Sequence, residues 1–581
     1  MVDRAWSGIR KGMGVLFIVA FVLISASYAV YAFDGGDDDG PKAEAIQQSL
    51  TAARTKSPAI IIKRRVEAQV PKPTLPSGKT MIKEVRVTGA TILAPEAIAR
   101  LKTMYENREL TGRELQYVAD RVTRAYSREG YITSYGFIDP EKLGEGILQI
   151  VVREGRTGKI TIEGNKNFSD AVFFKKLTLH EGDYFNFKKL NNSVYRINKH
   201  PDRKVSITCD PNVETGLTDV VLTVKDKNPV HVTLQMDNYG SEYITYKRYK
   251  TYVTHDNLTG HDDLLQFKAQ VTESAAHHLY DFDYFLPLNP NWKLELYYMP
   301  YKLEDYCCGD NVETDFEKHA WKWYAYLYQS LIDEPGCEFV SSYGFVHKNI
   351  YWWKYGKKQK ADTFAAGIWS LDLNRADRYG RWVISNDLEV GIPRLFGTST
   401  AEDESCSVDG AGGGYKKNHL IVARRQKLFA DIDWLGKMHW QASSQAQPGV
   451  NVFSIGGFMG VIDMRGFPRA QAPGDQGVSF STGLSFPPFG VSRQASVPFS
   501  KTKIYDALRL FTFMDYAKAS FKTYQEGNPK HYEYTSGGVG FELKVPDKAT
   551  SVRLDIGWPL SDQPTKDGDH AHAWFAITKG F

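Results

Sequence analysis

From about Val230 to the C-terminus the sequence has no helical period and becomes a succession of segments of roughly ten residues, each alternating apolar and polar side chains. HVTLQMDNYG, YKRYKTYVTHDN, DLLQFKAQVTES, LYDFDYFLPL and WKLELYYMPYKL come first, parted by turn signals such as LTGHDD and NPNW. WKWYAYLYQSLI, DTFAAGIWSLDLNRA, RWVISNDLEVGI, GGVGFELKVP and SVRLDIGWPL continue the pattern. Eleven of the twelve tryptophans lie after residue 290, with tyrosines crowded among them. Such rings favour a membrane–water interface, where the ring is apolar and its N–H or O–H stays wet. The last segment, HAHAWFAITKGF, ends on Phe581, with Phe575 and Ile577 on one face. A soluble all-β protein has no need of a terminal aromatic and must hide its surface rings. The pattern predicts a transmembrane antiparallel β-barrel over 229–581, closed because lipid cannot satisfy an open sheet edge. About 350 residues supply sixteen strands at roughly twenty-two residues per strand and connection.

Upstream, two similar α+β modules are expected, over 81–155 and 156–228. IKEVRVTGA and GKITIEGN are alternating strands that end on Gly89 and Gly164. In the first module Leu115, Val118, Ala119, Val122, Ala125 and Tyr126 mark one helix face. Leu190, Val194 and Ile197 do so in the second. Each module closes on a strand, GILQIVVREG and then TDVVLTVKDKN.

The N-terminus has a basic start (Arg4, Arg10, Lys11), an apolar run from Met13 to Ile24, and small residues at Ala29 and Ala32. This order reads as a secretory signal peptide over 1–32, against the alternative of an uncleaved anchor helix. Residues 33–80 read as one short polar helix from Pro41 to about Thr55, then a proline-rich, extended linker. A helix on a tether suits a plug or docking element, with a frayed terminus as the plainer alternative.

Charge and motifs narrow the function. A net charge of +4 with both signs interspersed does not suggest nucleic acid as a partner. Cys209, Cys307, Cys308, Cys337 and Cys406 show no metal-ligand spacing, although a disulfide between two of the last four is allowed. No HExxH, GxSxG or Walker loop is present, so no enzyme activity, metal or cofactor is expected. His277 and His278 read as a strand end, and His570 and His572 as facing one side of the last strand.

One stretch breaks the barrel pattern. FSIGGFMGVIDMRGFPRAQAPGDQG, residues 453–477, is glycine-rich like a loop yet strongly apolar, with Arg465 in its middle. Surface loops are usually polar. A loop folded into a barrel lumen is shielded from water, and a cation there needs a partner. Asp515 in RLFTFMDYAKAS, flanked by Phe511 and Phe513 at strand spacing, is the expected carboxylate. The plainer alternative is two unrelated surface charges.

SIGG, MRGF (Met464 to Phe467) and GDQG resemble the signature loop of the POTRA-barrel outer-membrane superfamily, and more closely that of the two-partner secretion transporters of hemolysin-activator type. HLIVARRQKLFADIDWLGKMHWQASSQ and FMDYA resemble the segments around it. Alanine at Ala517 replaces the usual glycine, and Met464 the usual valine before the arginine. The resemblance covers nearly the whole chain. It implies a plug helix, POTRA 1 and POTRA 2 in the periplasm, and a barrel in the bacterial outer membrane. It also implies a lumenal motif of Arg465, Gly466, Phe467, Gly474, Asp475 and Gly477, with Phe513 and Asp515 on the wall. Phe575, Ile577 and Phe581 belong to the barrel-closing strand. The implied function is transport of a large, unfolded exported partner, with outer-membrane lipid around the barrel and the barrel-assembly machinery needed for its own insertion. An assembly or insertase factor is the alternative, but those usually carry more than two POTRA modules. A solute channel would have no use for the pair.

Overall fold

The computed structural model describes residues 60–63, 73–240, 246–273, 277–305, 316–354, 357–403, 406, 408, 410–447, 451–458, 463–522 and 529–581. The signal peptide expected over 1–32 and the helix expected from Pro41 to about Thr55 lie outside these residues.

The short strand β1 (Ile60–Ile62) lies within the stretch read as helix and linker. The first module then runs β2 (Lys79–Ile82), β3 (Glu84–Thr88), α1 (Pro95–Tyr105), β4 (Arg108–Thr111), α2 (Gly112–Arg128), β5 (Tyr135–Asp139) and β6 (Ile147–Arg153). Its main sheet has the order β3-β6-β5, with β3 parallel to β6. A capping box starts α2: the Glu114 N–H is received by Thr111 Oγ, and Glu114 receives the Thr111 N–H. Leu115, Val118, Ala119, Val122 and Tyr126 bury that helix against the sheet.

The second module repeats the plan with β7 (Arg156–Glu163), α3 (Asp170–Phe174), α4 (Phe187–Asn198), β8 (Arg203–Pro211) and β9 (Leu217–Asp226). Here β7 is parallel to the central β9, and β8 is antiparallel to it. The linker strand β1 adds to the free edge, parallel to β8, with Ile60 opposite Ile207 and Ile62 opposite Cys209. Three successive isoleucines suit this edge. Cys209 is a free, buried thiol, and burial pushes it up to about 12. Cys337 is also a free thiol, Cys406 Sγ lies 3.8 Å from the Thr400 carbonyl oxygen, and Cys307 and Cys308 lie outside the described residues.

Both modules turn on a glycine with positive φ, Gly89 after β3 at 77° and Gly164 after β7 at 87°. A Cβ would meet the Val152 carbonyl oxygen at 2.4 Å in the first and the Val224 carbonyl oxygen at 2.6 Å in the second.

Sixteen antiparallel strands then close into a barrel, from β10 (Val230–Asp237) and β11 (Arg248–His255) round to His572–Gly580. The wall is uneven: β10 has 8 residues, while Lys357–Ala376 has 20. Closure pairs Thr233–Asp237 of β10 with Ala576–Gly580, and the Phe581 N–H donates to the Val232 carbonyl at 2.9 Å. Leu296, Tyr298, Trp369, Trp440, Leu484, Met514 and Ile577 are exposed on the outer face, as lipid contact requires. Phe575 is half-buried two residues before Ile577, and Phe581 is exposed at the rim.

The second module sits against the turns at the near end of the barrel. Lys199 Nζ lies 2.8 Å from Asp333 Oδ1 and 2.9 Å from Glu338 Oε1. Arg196 Nε is 3.0 Å from Asp333, and Arg203 Nη2 donates to Asp262 at 2.9 Å.

Gly164→Val forces a branched side chain into left-handed backbone and against a carbonyl. It should destabilise the second module by about 2–4 kcal/mol. Limited proteolysis of the full chain should then cut first within 156–226 while the barrel resists; an unchanged digest would contradict this.

Candidate functional site

The segment between the strands Asp433–Ser443 and Gln476–Phe486 folds back into the barrel as a hairpin. Its two legs are tied by main-chain bonds: Phe453 N–H to the Gly474 carbonyl at 2.6 Å, Ile455 N–H to that of Ala472 at 2.7 Å, and Gly457 N–H to that of Phe467 at 3.0 Å. Gly456 and Gly457 have φ of 121° and 79°, and a side chain at Gly456 would strike the Pro468 carbonyl at 2.1 Å.

The apolar residues of the hairpin form one dry cluster with the wall. Phe453, Ile455, Met464, Phe467 and Ala472 have no exposed surface, and they pack with Ile421, Ala423, Ala517, Ala519 and Tyr534. Phe453 stacks on His439 at 5.0 Å, and Phe467 meets the Tyr534 ring edge-on at 4.8 Å. The alanine at 517 is part of this cluster, so its methyl group fills space between loop and wall.

Arg465 lies at the centre of the site and is 5% exposed. Its Nε donates to Asp515 Oδ2 at 2.9 Å and its Nη2 to Asp515 Oδ1 at 2.7 Å. Its own main-chain N–H donates to Asp515 Oδ2 at 3.1 Å. The guanidinium lies 3.5 Å above the Phe513 ring, which adds a cation–π contact where water is excluded. Ser481 Oγ receives Nη2 at 2.9 Å and passes its own proton to Asp515 Oδ1 at 2.7 Å. A two-pronged arginine–carboxylate pair fixes orientation as well as charge.

Other parts of the site come from the last two strands, which no motif in the sequence ties to the loop. Arg465 Nη1 also donates to Asp555 Oδ1 at 3.2 Å, and Arg553 grips the same carboxylate through Nε at 2.7 Å. Two arginines and two aspartates thus meet in one buried set, and Glu542 Oε1 lies 3.9 Å from Arg553 Nη1. Trp574 Nε1 donates to the Arg465 carbonyl at 2.8 Å, and His572 Nδ1 is 3.0 Å from the Gly466 carbonyl. Gly466 and Gly557 let the two backbones touch: a Cβ at Gly466 would meet Trp558 C at 2.6 Å, and one at Gly557 the Arg465 carbonyl oxygen at 2.5 Å. Strand parity was the available signal, because Asp555 and Trp574 share inward positions on their strands, as Asp515 does.

The hairpin base is held by Asp475. Its carboxylate receives the Gln447 N–H at 2.6 Å and the Lys522 N–H at 2.7 Å. Gly474 passes so close to the wall that a Cβ would lie 2.8 Å from that of Ala519, and Gly477 leaves room for the Phe453 ring. Arg469, also in the loop, donates to the Tyr239 carbonyl at 3.0 Å and is 3% exposed.

Comparison with known proteins agrees along the chain. Residues 80–155 match the POTRA domain of ShlB type, and 156–235 match a POTRA domain described as surface antigen variable number repeat. Residues 216–319 match the haemolysin secretion/activation protein family ShlB/FhaC/HecB. The outer membrane transporter CdiB of Dickeya dadantii (strain 3937) is 22% identical over 492 residues, covering 83% of each chain. The heme/hemopexin transporter protein HuxB of Haemophilus influenzae is 19% identical over 508 residues, covering 84% of each. The solved structure of CdiB from Escherichia coli superposes with a TM-score of 0.74 at 18% identity, covering 95% of this chain and 100% of that one.

Asp515→Asn removes the carboxylate charge from a buried guanidinium, and breaking such a pair costs about 3–5 kcal/mol. Hydrogen exchange of the loop amides in 453–458 and 463–475 should accelerate by about 10²-fold or more. Asp555→Asn should do less, because Arg465 keeps its fork on Asp515. Equal protection in Asp515→Asn and the parent would contradict the assignment. Two POTRA modules in series and a sixteen-stranded barrel with its loop folded inward are the architecture in which the chain is similar to the two-partner secretion outer-membrane transporters.

Proposed function

We propose that this protein captures an exported partner protein in unfolded form through its POTRA modules and passes it through the barrel to the cell surface. The observation that carries the reading is the loop. It fills part of the lumen, held to the wall by the polar cluster around Arg465, by Asp475 at its base, by Arg469 and by van der Waals contacts. Such an element can keep a working position without being part of the sheet.

The modules offer the other half of the reading. An extended chain binds a sheet edge through its main-chain groups, whatever its sequence. The β8 edge already holds Ile60–Ile62 in this way, which supports the view that these sheets accept an added strand. No nucleotide is available outside the inner membrane, so folding of the client at the surface would give direction. Residues 33–80 would include the plug that leaves the pore, and 81–155 and 156–228 the two capturing modules. In this reading Arg465, Gly466 and Phe467 hold the loop tip, Gly474, Asp475 and Gly477 its base, and Phe513 and Asp515 receive it. Phe575, Ile577 and Phe581 close the wall.

The test compares the medium and the outer membrane of cells carrying the parent gene, no gene, or Arg465→Ala. Quantitative proteomics should show one or a few large proteins missing from the surface or medium in both altered strains. The barrel of Arg465→Ala should still assemble, and other outer-membrane barrels should hold level. A broad fall of other barrels would favour an assembly factor. Unchanged export with Arg465→Ala would remove that residue from the mechanism.

A further inference from the structure

Where the second POTRA module meets the barrel, four side chains from three separate segments converge. His200 and Asp202 follow α4, His231 is the second residue of β10, and Asp256 opens the turn after β11. Asp202 is 2% exposed and Asp256 5%. His231 Nε2 lies 2.8 Å from Asp202 Oδ2 and 3.8 Å from Asp256 Oδ2. Donor atoms of His200, Asp202 and Asp256 all lie within 4.8 Å of one another.

Two features set this group apart from an ordinary surface cluster. The first is charge. The neighbouring Asp262 is served by Arg203 Nη2 at 2.9 Å and Lys176 Nζ at 2.5 Å. Asp202 and Asp256 share only an imidazole between them among the described ion pairs. The second is a vacant acceptor: Asp256 Oδ1 is buried and has no hydrogen-bond partner. A buried carboxylate oxygen without a donor is costly unless something positive meets it.

We propose that Asp202, Asp256 and His231 form a binding site for a divalent transition metal of the zinc type, which clamps the second POTRA module to the barrel. One imidazole with two carboxylates is a donor set that such ions take, with water completing the shell. Bonds of about 2.0 Å in a tetrahedron place neighbouring donor atoms roughly 3.3 Å apart. The two His231 separations lie on either side of that value. His200 positions the acids: its Nδ1 receives the Asp202 N–H at 3.1 Å, and its Nε2 faces the Asp256 carbonyl at 3.0 Å. The ion neutralises two carboxylates across a joint of three segments. It fixes the angle at which the module meets the pore. The donors lie 29 residues apart (Asp202 to His231) and farther, so no local spacing in the sequence could announce them.

The test uses the full chain in detergent, tag removed and stripped with a chelator, titrated with Co²⁺ as a visible probe. The parent should bind one equivalent with the absorption of a low-symmetry nitrogen–oxygen site, and Zn²⁺ should displace it. Asp256→Asn and His231→Gln should each weaken binding at least tenfold. Asp569→Asn, in the separate Asp567, Asp569 and His572 cluster at the opposite rim, should leave it unchanged. His231→Gln changes a partly exposed residue, so a folded barrel in that variant keeps the comparison valid even if Asp256→Asn misfolds. No saturable binding by the parent, or binding lost only in Asp569→Asn, would overturn the proposal. The readout is metal occupancy, so it stands or falls independently of export.

Discussion

A guanidinium in the wall-lined interior of a membrane barrel must find carboxylate or be expelled. Arg465 finds two, Asp515 and Asp555, and an aromatic face beneath it on Phe513. The surrounding sequence choices serve that meeting. Gly466 and Gly557 remove the side chains that would keep loop and wall apart, and Gly538 leaves space for the Phe513 ring. Ser481 orients Asp515, Arg553 balances Asp555, and Trp574 and His572 reach the successive carbonyls of Arg465 and Gly466. The dry cluster of Phe453, Ile455, Met464 and Phe467 supplies burial, but burial alone has no direction. The polar centre sets where the loop sits.

Much of this architecture was readable from residue order because membranes are demanding solvents. Lipid requires alternation on every strand and forbids an edge, so the period-two pattern after Val230 and the terminal aromatic had few interpretations. The modules were readable for a different reason: Leu115, Val118, Ala119, Val122 and Tyr126 draw one helix face without ambiguity. The loop stood out as a contradiction, too apolar for a surface and too rich in glycine for a strand.

What escaped the sequence was long-range convergence. Asp555 is one inward carboxylate among several, and only the closed register brings it to Arg465. Ile60–Ile62 looked like part of a tether because a three-residue strand has no period of its own; it exists through its pairing with β8. The junction of Asp202, His231 and Asp256 is a product of docking between module and barrel, and its members look like unrelated polar residues in their own segments. Such sites need the tertiary fold before they have any chemistry.

Arg465 and Asp515 act as one unit, and a double-mutant cycle of Arg465→Ala and Asp515→Ala measures that directly. The free energy of loop opening, read by hydrogen exchange in detergent, should show a coupling of about 2 kcal/mol or more, with the double variant little worse than either single one. Additive losses would mean that the two residues stabilise the loop independently, and that the apolar cluster rather than the ion pair sets its position.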